Sequence, residues 1–244
     1  MGRKTGTGLV TAIILIIFCC AGCGSGNFVE SVEDSESGNS NGREETADSG
    51  QMASESADDA SRELLKAVLL GDSQFVYYAD GNMEAMDITG VPALFDADDP
   101  YMKIFDFAMV DMDGDGEDEA VLFLAGAAGD MGGKVILHAT DGEVYGYRTD
   151  NRTLEELKTD GTYLYSDPTG MTEAGIAAVS GFSGEGLSVD MIARASGTYE
   201  GWDTFTVSGR PVTEEEYRDI LSRQEKKEDA KRYEFTEENI HAVF

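Results

Sequence analysis

Residues 103–124, KIFDFAMVDMDGDGEDEAVLFL, contain two apolar runs separated by an acidic loop. The first run, residues 104–110, has apolar side chains at nearly every position, which indicates a largely buried β-strand. Its period of two predicts one face made of Phe105, Phe107 and Met109 and another made of Ile104, Ala108 and Val110. The second run, Ala120–Leu124, predicts a second strand, so the segment forms a strand–loop–strand unit.

The loop between these strands, residues 111–119, has six acidic side chains in nine positions and no basic one. Alternate carboxylates can converge on one point, and Gly116 permits the sharp turn that this requires. Such oxygen ligands suit Ca²⁺. The predicted ligands are the side chains of Asp111, Asp113, Asp115 and Glu119 and the backbone carbonyl of Glu117. Without a cation, carboxylates about 6 Å apart repel by roughly 0.7 kcal/mol per pair even in water. The alternative is an acidic turn that is empty or weakly occupied.

The loop differs from an EF-hand, in which position 12 is a bidentate Glu, because Leu122 occupies that position here. Strands rather than helices are also predicted on both sides. The loop resembles the strand–loop–strand calcium loops of FG-GAP and VCBS repeats, which build propellers from many copies. This chain has one copy, so the resemblance implies a single structural Ca²⁺ and no propeller. We expect a Kd on the order of 10⁻⁴–10⁻³ M, as in extracellular calcium modules.

The flanking sequence predicts an α+β fold. An apolar stripe at helical spacing predicts an N-terminal helix that ends at Gly71, and its members are Leu64, Leu65, Val68 and Leu69. Further strands are predicted at 75–78, 134–139, 143–148, 162–166, 175–180, 187–193 and 202–207. Asp141-Gly142 and Asp160-Gly161 indicate hairpin turns between some of them. We therefore expect a mainly antiparallel, sequentially connected sheet.

Two helices are predicted to close the chain. Thr213 and Glu216 have the spacing of a capping box, which predicts a helix that begins after Thr213. A second, short helix is predicted from Thr236 through Val243. The expected fold class is α+β, mainly antiparallel β-sheet with an N-terminal helix and one or two C-terminal helices.

The N-terminus has the features of an export signal. Arg3 and Lys4 precede the apolar run Leu9–Ala21, which at about 1.5 Å per residue is roughly 20 Å long and too short to span a bilayer. Residues 20–23, CAGC, resemble the lipobox of bacterial lipoproteins, which implies cleavage after residue 22 and lipid on Cys23. The alternative is an ordinary cleaved signal that leaves Cys23 as a free thiol.

Charge and composition limit the classes of partner and indicate where the globular domain begins. The chain has 18 Lys and Arg against 48 Asp and Glu, a net charge of -30, and losing the two basic residues of the signal makes it -32. Such a charge argues against nucleic-acid binding and against a polybasic grip on anionic lipid. Residues 24–59 are rich in Gly, Ser, Asn, Glu and Asp, which predicts a disordered acidic stalk. The prediction is a signal at 1–22, the lipidated Cys23 with the stalk at 23–59, and one globular domain at 60–244.

The sequence contains no recognisable set of catalytic residues. It has two histidines, His138 in an apolar strand and His241 near the C-terminus, and every cysteine lies at or before Cys23, so a zinc site is not predicted. A nucleophile elbow and a phosphate-binding loop are also missing from the sequence. Paired carboxylates could serve a glycosidase, but with 48 acidic residues some pairs are expected by chance. No catalytic residue is predicted.

Aromatic side chains are the candidates for ligand contact. They alternate on two predicted strands and include the single tryptophan, so they could line a face that binds sugar or peptide. These residues are Tyr145, Tyr147, Tyr163, Tyr165 and Trp202. Ordinary cross-strand packing is the alternative.

Several segments follow one another in an order that resembles a family of uncharacterised lipoproteins of Gram-positive gut bacteria of the Clostridia type. The segments are residues 103–124, 144–148, 157–165, 212–217 and 233–236. The resemblance implies a protein anchored by lipid to the outer face of the cell membrane, and it supplies no catalytic residues. We expect a non-catalytic binding or envelope-associated module with a protein or glycan partner. The alternatives are a carboxylate-based hydrolase of envelope polymers and a partner subunit of a membrane complex.

Overall fold

A computed structural model describes residues 49–79, 82–96, 98–126, 131–183 and 186–244. The predicted signal peptide, Cys23 and residues 24–48 of the predicted stalk lie outside these described residues. The fold is α+β, with mostly antiparallel β-sheet and a few helices, which confirms the predicted fold class at that level.

The described elements follow one another from the N-terminal side. In chain order they are α1 (Ser49–Leu70), β1 (Phe75–Ala79), β2 (Asn82–Met86), a 3₁₀ helix (Ile88–Leu94), β3 (Lys103–Val110), β4 (Glu119–Ala125), β5 (Met131–Thr140), β6 (Glu143–Thr149), β7 (Tyr163–Ser166), β8 (Glu173–Ser183), β9 (Gly186–Thr198), β10 (Gly201–Val207), β11 (Arg210–Pro211), α2 (Glu214–Glu225), β12 (Tyr233–Glu234) and α3 (Glu237–Val243). Each predicted strand coincides with one of these. Strands β2, β11 and β12 and the 3₁₀ helix were not predicted from the sequence.

The strands form two sheets, so the expectation of one sequential antiparallel sheet is wrong. The first sheet has the strand order β12-β3-β4-β5-β6-β1-β2, and the second has the order β11-β10-β9-β8-β7. In addition, β1 and β6 pair in parallel, with Val76 opposite Tyr145. Turn signals in a sequence report hairpins between neighbouring strands, whereas the β1–β6 pair joins segments about 70 residues apart and leaves no local signal.

The first sheet is the centre of the core because both of its faces are covered. On one face, Phe107 and Leu137 pack in a cluster with Leu65 of α1 and Ile240 of α3. On the other face, the first and second sheets share a cluster that contains Ala108, Val110, Val121, Ile136, Tyr163, Ala177 and Val179. The outer side of the second sheet is covered by α2. The two-sided burial predicted for the acidic-loop strands is thus confirmed for β4 and for residues 107–110 of β3, whereas residues 103–106 are exposed or half-buried.

Strand β3 departs from simple alternation near its start. Its pairing with β4 shifts register between Ile104 and Asp106, and Ile104 packs in the same cluster as Phe107. The prediction that Ile104 shares a face with Ala108 is therefore wrong. Phe105, which was predicted to share the buried face of Phe107 and Met109, is instead 49 % exposed and is not part of that cluster. A β-bulge inserts one residue into the strand and reverses the alternation beyond it.

Helix ends follow the predicted chemistry at the C-terminal side. The Thr213 hydroxyl accepts a hydrogen bond from the Glu216 backbone N–H, and the Glu216 carboxylate accepts one from the Thr213 N–H, so the capping box is confirmed. Thr236 caps α3 in a similar way. At the other end, α1 includes residues 49–59, which the sequence analysis assigned to the stalk. Within the described ranges, no helix is both long and apolar enough to cross a membrane.

Candidate metal site and an adjoining cavity

The acidic loop brings three of its predicted ligands together. Carboxylate oxygens of Asp111, Asp113 and Asp115 lie within 4.8 Å of one another. Oδ1 of Asp113 is buried and has no hydrogen-bond partner in the described part of the chain. Burial and the charge of Asp115 raise the pKa of Asp113. The cluster therefore has an unsatisfied oxygen and uncompensated negative charge, and both features fit a bound Ca²⁺.

Backbone groups hold the loop in this shape. Asp111 accepts hydrogen bonds from the N–H groups of Gly114 at 2.7 Å and of Gly116 at 3.1 Å. Both glycines have φ near +90°, in the left-handed region that favours glycine (82° and 94°). The Asp115 carboxylate accepts from the Glu117 N–H at 2.8 Å. The convergence of the three carboxylates is thus a local consequence of the sequence of the turn.

The acids after the turn contact α1 instead. The Glu117 side chain accepts a hydrogen bond from the Ser61 hydroxyl at 2.6 Å. Asp118 pairs with the Arg62 guanidinium at 2.9 Å. The predicted ligand role of Glu117 uses its backbone carbonyl only, so this side-chain contact leaves that role open.

Glu119 is not a member of the three-aspartate cluster. It is 1 % exposed, its Oε1 is 2.8 Å from Nδ1 of His138, and its Oε2 accepts a hydrogen bond from the Met112 N–H at 2.7 Å. Burial raises the pKa of Glu119, and these two hydrogen bonds oppose that rise. Both carboxylate oxygens of Glu119 are therefore engaged by protein donors, and Glu119 is not among the three carboxylates that converge. Its partners join the loop to β5 inside the core.

His138 is the functional candidate whose setting the sequence analysis missed. Its ring stacks on Phe182 with centroids 4.3 Å apart, and it lies opposite Tyr145 in the β5–β6 pair. Burial opposes protonation of His138, but the hydrogen bond and charge of Glu119 outweigh burial and raise the pKa of His138. A lone histidine in an apolar strand gives no sequence signal of such a setting. His241 lies exposed on α3, beside Glu237.

Two of the five predicted aromatic contact residues line one cavity. Tyr145 and Tyr147 border a cavity of about 310 Å³ together with His138 and Phe182. The other three do not line it. Tyr163 is buried in the cluster between the sheets, Tyr165 packs against that cluster, and Trp202 is half-exposed on β10. The packing alternative thus describes Tyr163 and Tyr165. Tyr147 borders the cavity but is only 4 % exposed, so Tyr145 is the member of the set that is most accessible to a ligand there.

A second cavity, of about 500 Å³, is lined by charged side chains beside Phe123. Nζ of Lys158 lies 2.6 Å from Asp229 and 3.8 Å from Glu156. Arg232 stacks over the Phe123 ring at 4.0 Å and pairs with Asp106 at 2.7 Å. Two of the acids that line this cavity thus share one buried ammonium group.

The acidic loop and the ring-lined cavity are connected through the Glu119–His138 contact. The loop ends at β4, the cavity lies over β5 and β6, and these strands are neighbours in the first sheet.

Comparisons of this chain with protein-family models, with curated proteins and with solved structures found no match.

Proposed function

We propose that this chain is a lipid-anchored, extracytoplasmic binding module with one structural calcium loop, without catalytic activity. The calcium part rests on one observation, the buried and unpartnered Oδ1 of Asp113 among three converging carboxylates. A Ca²⁺ ion would satisfy this oxygen and neutralise part of the local charge. Because the loop joins β3 to β4, the ion would hold together two central strands of the core.

Thermal unfolding tests the calcium loop. We expect the chain without its signal, with Cys23→Ser, to unfold at a higher temperature in about 2 mM Ca²⁺ than in EDTA. A Kd near 0.2 mM gives about 1.4 kcal/mol of added stability at that concentration. For a domain of this size, the shift in Tm is about 3–6 °C.

Two variants of the same loop make this result specific. Asp113→Asn is expected to abolish the shift, because it removes the charge of the unpartnered carboxylate. Glu117→Gln is the matched control and should keep the shift, because only the Glu117 backbone carbonyl is a predicted ligand. An equal Tm with and without Ca²⁺ in the wild-type chain, or an equal shift in Asp113→Asn, would refute the calcium loop.

Metabolic labelling tests the lipid anchor. The proposal rests on the lipobox-like residues 20–23 after a short apolar run, which lie outside the described residues. In a bacterial host fed with labelled palmitate, we expect the full chain to carry the label in the membrane fraction. Cys23→Ser should lose the label, whereas Cys19→Ser should retain it. Label on Cys23→Ser would rule out this cysteine as the anchor.

Two observations support binding rather than hydrolysis. The ring-lined cavity offers contact area of the kind that small ligands use. In the cavity lined by charged side chains, Glu156 and Asp229 share Lys158, so these two carboxylates are compensated by an ammonium group. A glycosidase instead needs two acids that flank the bond to be broken.

A further inference from the structure

We propose that the ring-lined cavity beside His138 is a binding site for organic cations that carry an alkylammonium group. The inference rests on the proposed role as a binding module and names the chemistry of its ligand. The cavity of about 310 Å³ lies over β5 and β6, at the end of β8. Its lining includes His138, Asp141, Tyr145, Tyr147 and Phe182.

Aromatic rings supply the walls of the cavity. Phe182 stacks on His138 at a centroid distance of 4.3 Å and contacts the tilted ring of Tyr147 at 5.2 Å. The Tyr147 hydroxyl donates a hydrogen bond to the Ser183 carbonyl at 3.3 Å, which holds this ring against the end of β8. Ring faces attract cations within about 6 Å of the centroid. The cavity is at the small end of ligand sites, so it suits a head group rather than a polymer.

Negative charge at the edge of the cavity favours a cationic ligand. Asp141 lines the cavity at the β5–β6 turn, and Glu143 accepts a hydrogen bond from the Tyr145 hydroxyl at 2.9 Å. This bond, together with the nearby charge of Asp141, raises the pKa of Tyr145, as expected where the potential is negative. Among the described residues, no lysine or arginine lines the cavity. The net charge of -30 adds long-range attraction for cations.

His138 contributes its ring to the lining of the cavity. Its Nδ1 lies 2.8 Å from the carboxylate of Glu119, and this contact holds the ring in place. The alkyl chain of an alkylammonium ligand can contact the rings while its ammonium group faces Asp141. A carboxylate ligand would be repelled by Asp141 and Glu143.

Ligand titration tests this inference on the chain without its signal, with Cys23→Ser, at about pH 8, where alkylamines remain protonated. Butylammonium chloride, followed by NMR chemical shifts, is expected to bind saturably with a Kd on the order of 1 mM. The neutral probe 1-butanol and the anionic probe butyrate should bind about 10-fold more weakly or not at all. Nα-acetyl-lysine amide distinguishes the two sources of such a group. Tighter binding than butylammonium indicates a lysine side chain, and weaker binding indicates a free amine.

Three variants locate the site. Asp141→Asn should weaken butylammonium binding about 3–10-fold, and since Asp141 has φ +53°, which Asn tolerates, the turn is kept. Tyr145→Ala should weaken it about 3–5-fold. Asp190→Asn makes the same charge change on the exposed part of β9 and should leave the affinity within about 2-fold. Unchanged spectra of the free variants establish that each is folded.

Four results would overturn the inference. Two concern the cation itself: butylammonium does not bind saturably, or 1-butanol binds as tightly as butylammonium. In the third, Asp141→Asn and Asp190→Asn weaken butylammonium binding equally, and in the fourth, methyl glucoside binds saturably whereas butylammonium does not. The titration is run both in EDTA and in Ca²⁺. Butylammonium binding in EDTA supports the cavity even if the calcium loop fails its thermal test. A calcium-induced rise in Tm without any butylammonium binding leaves the calcium loop standing and removes the cation site.

Discussion

Glu119→Ala is expected to lower the free energy of unfolding by about 3–5 kcal/mol, the cost of removing one partner from a buried, hydrogen-bonded pair. The Glu119 carboxylate is 1 % exposed and binds Nδ1 of His138 and the N–H of Met112. The truncation leaves both donors without this acceptor inside the core and opens a cavity. Urea unfolding followed by far-ultraviolet circular dichroism measures the loss.

The matched control is Glu84→Ala, which removes the same carboxylate from an exposed position of β2. Its effect on stability should be within about 0.5 kcal/mol. Because Glu119 is bound by protein groups, its loss should be as large in EDTA as in Ca²⁺. A loss that appears only in Ca²⁺ would instead make Glu119 a metal ligand, and a loss below about 1 kcal/mol would contradict a structural role for the pair.

The sequence predicted those parts of the fold that depend on neighbouring residues. A period-two pattern located β3, a continuous apolar run located β4, and the Thr213 capping box located α2. The parallel pairing of β1 with β6 depends on contacts between distant segments. Strand β2 was missed because it is a short, exposed edge strand that contains no β-branched or aromatic residue. A sequence period predicts a strand because it reflects one buried face, so it does not identify a strand that has no buried face.

In the candidate site too, contacts between neighbouring residues could be predicted from the sequence, and contacts between distant residues could not. Asp111, Asp113 and Asp115 converge because one tight turn holds them, so their spacing was sufficient to predict the cluster. The contact between Glu119 and His138 joins residues 19 positions apart on adjacent strands. Their pairing depends on the register between β4 and β5, which the sequence does not display.

Raising the pH from about 7 to about 9.5 is expected to stabilise the domain by about 2 kcal/mol through Lys134. Lys134 is 2 % exposed, and its Nζ donates a hydrogen bond to the Asn151 carbonyl at 2.7 Å. Burial lowers the pKa of Lys134 from its ordinary value of 10.5 to about 8. Between these two values, the unfolded chain binds more protons than the folded one, so stability rises with pH. Below about pH 8, both states are protonated, and the full cost of a buried ammonium group remains.

Denaturant unfolding across this pH range, compared with Lys134→Met, isolates the effect. The variant keeps an unbranched side chain without a charge, and since Asn151 is exposed, water can replace the lost hydrogen bond. Lys134→Met should therefore be about 2 kcal/mol more stable than wild type at pH 7 and should lose the rise between pH 7 and 9.5. Lys226→Met, at an exposed position after α2, should keep that rise. The pH range of the measurement ends below pH 10 because burial raises the pKa of Tyr163 and Tyr217. Near and above pH 10, these tyrosines lose their protons in the unfolded chain but keep them in the folded chain, which lowers the free energy of unfolding. A rise of equal size in Lys134→Met would show that another group carries it.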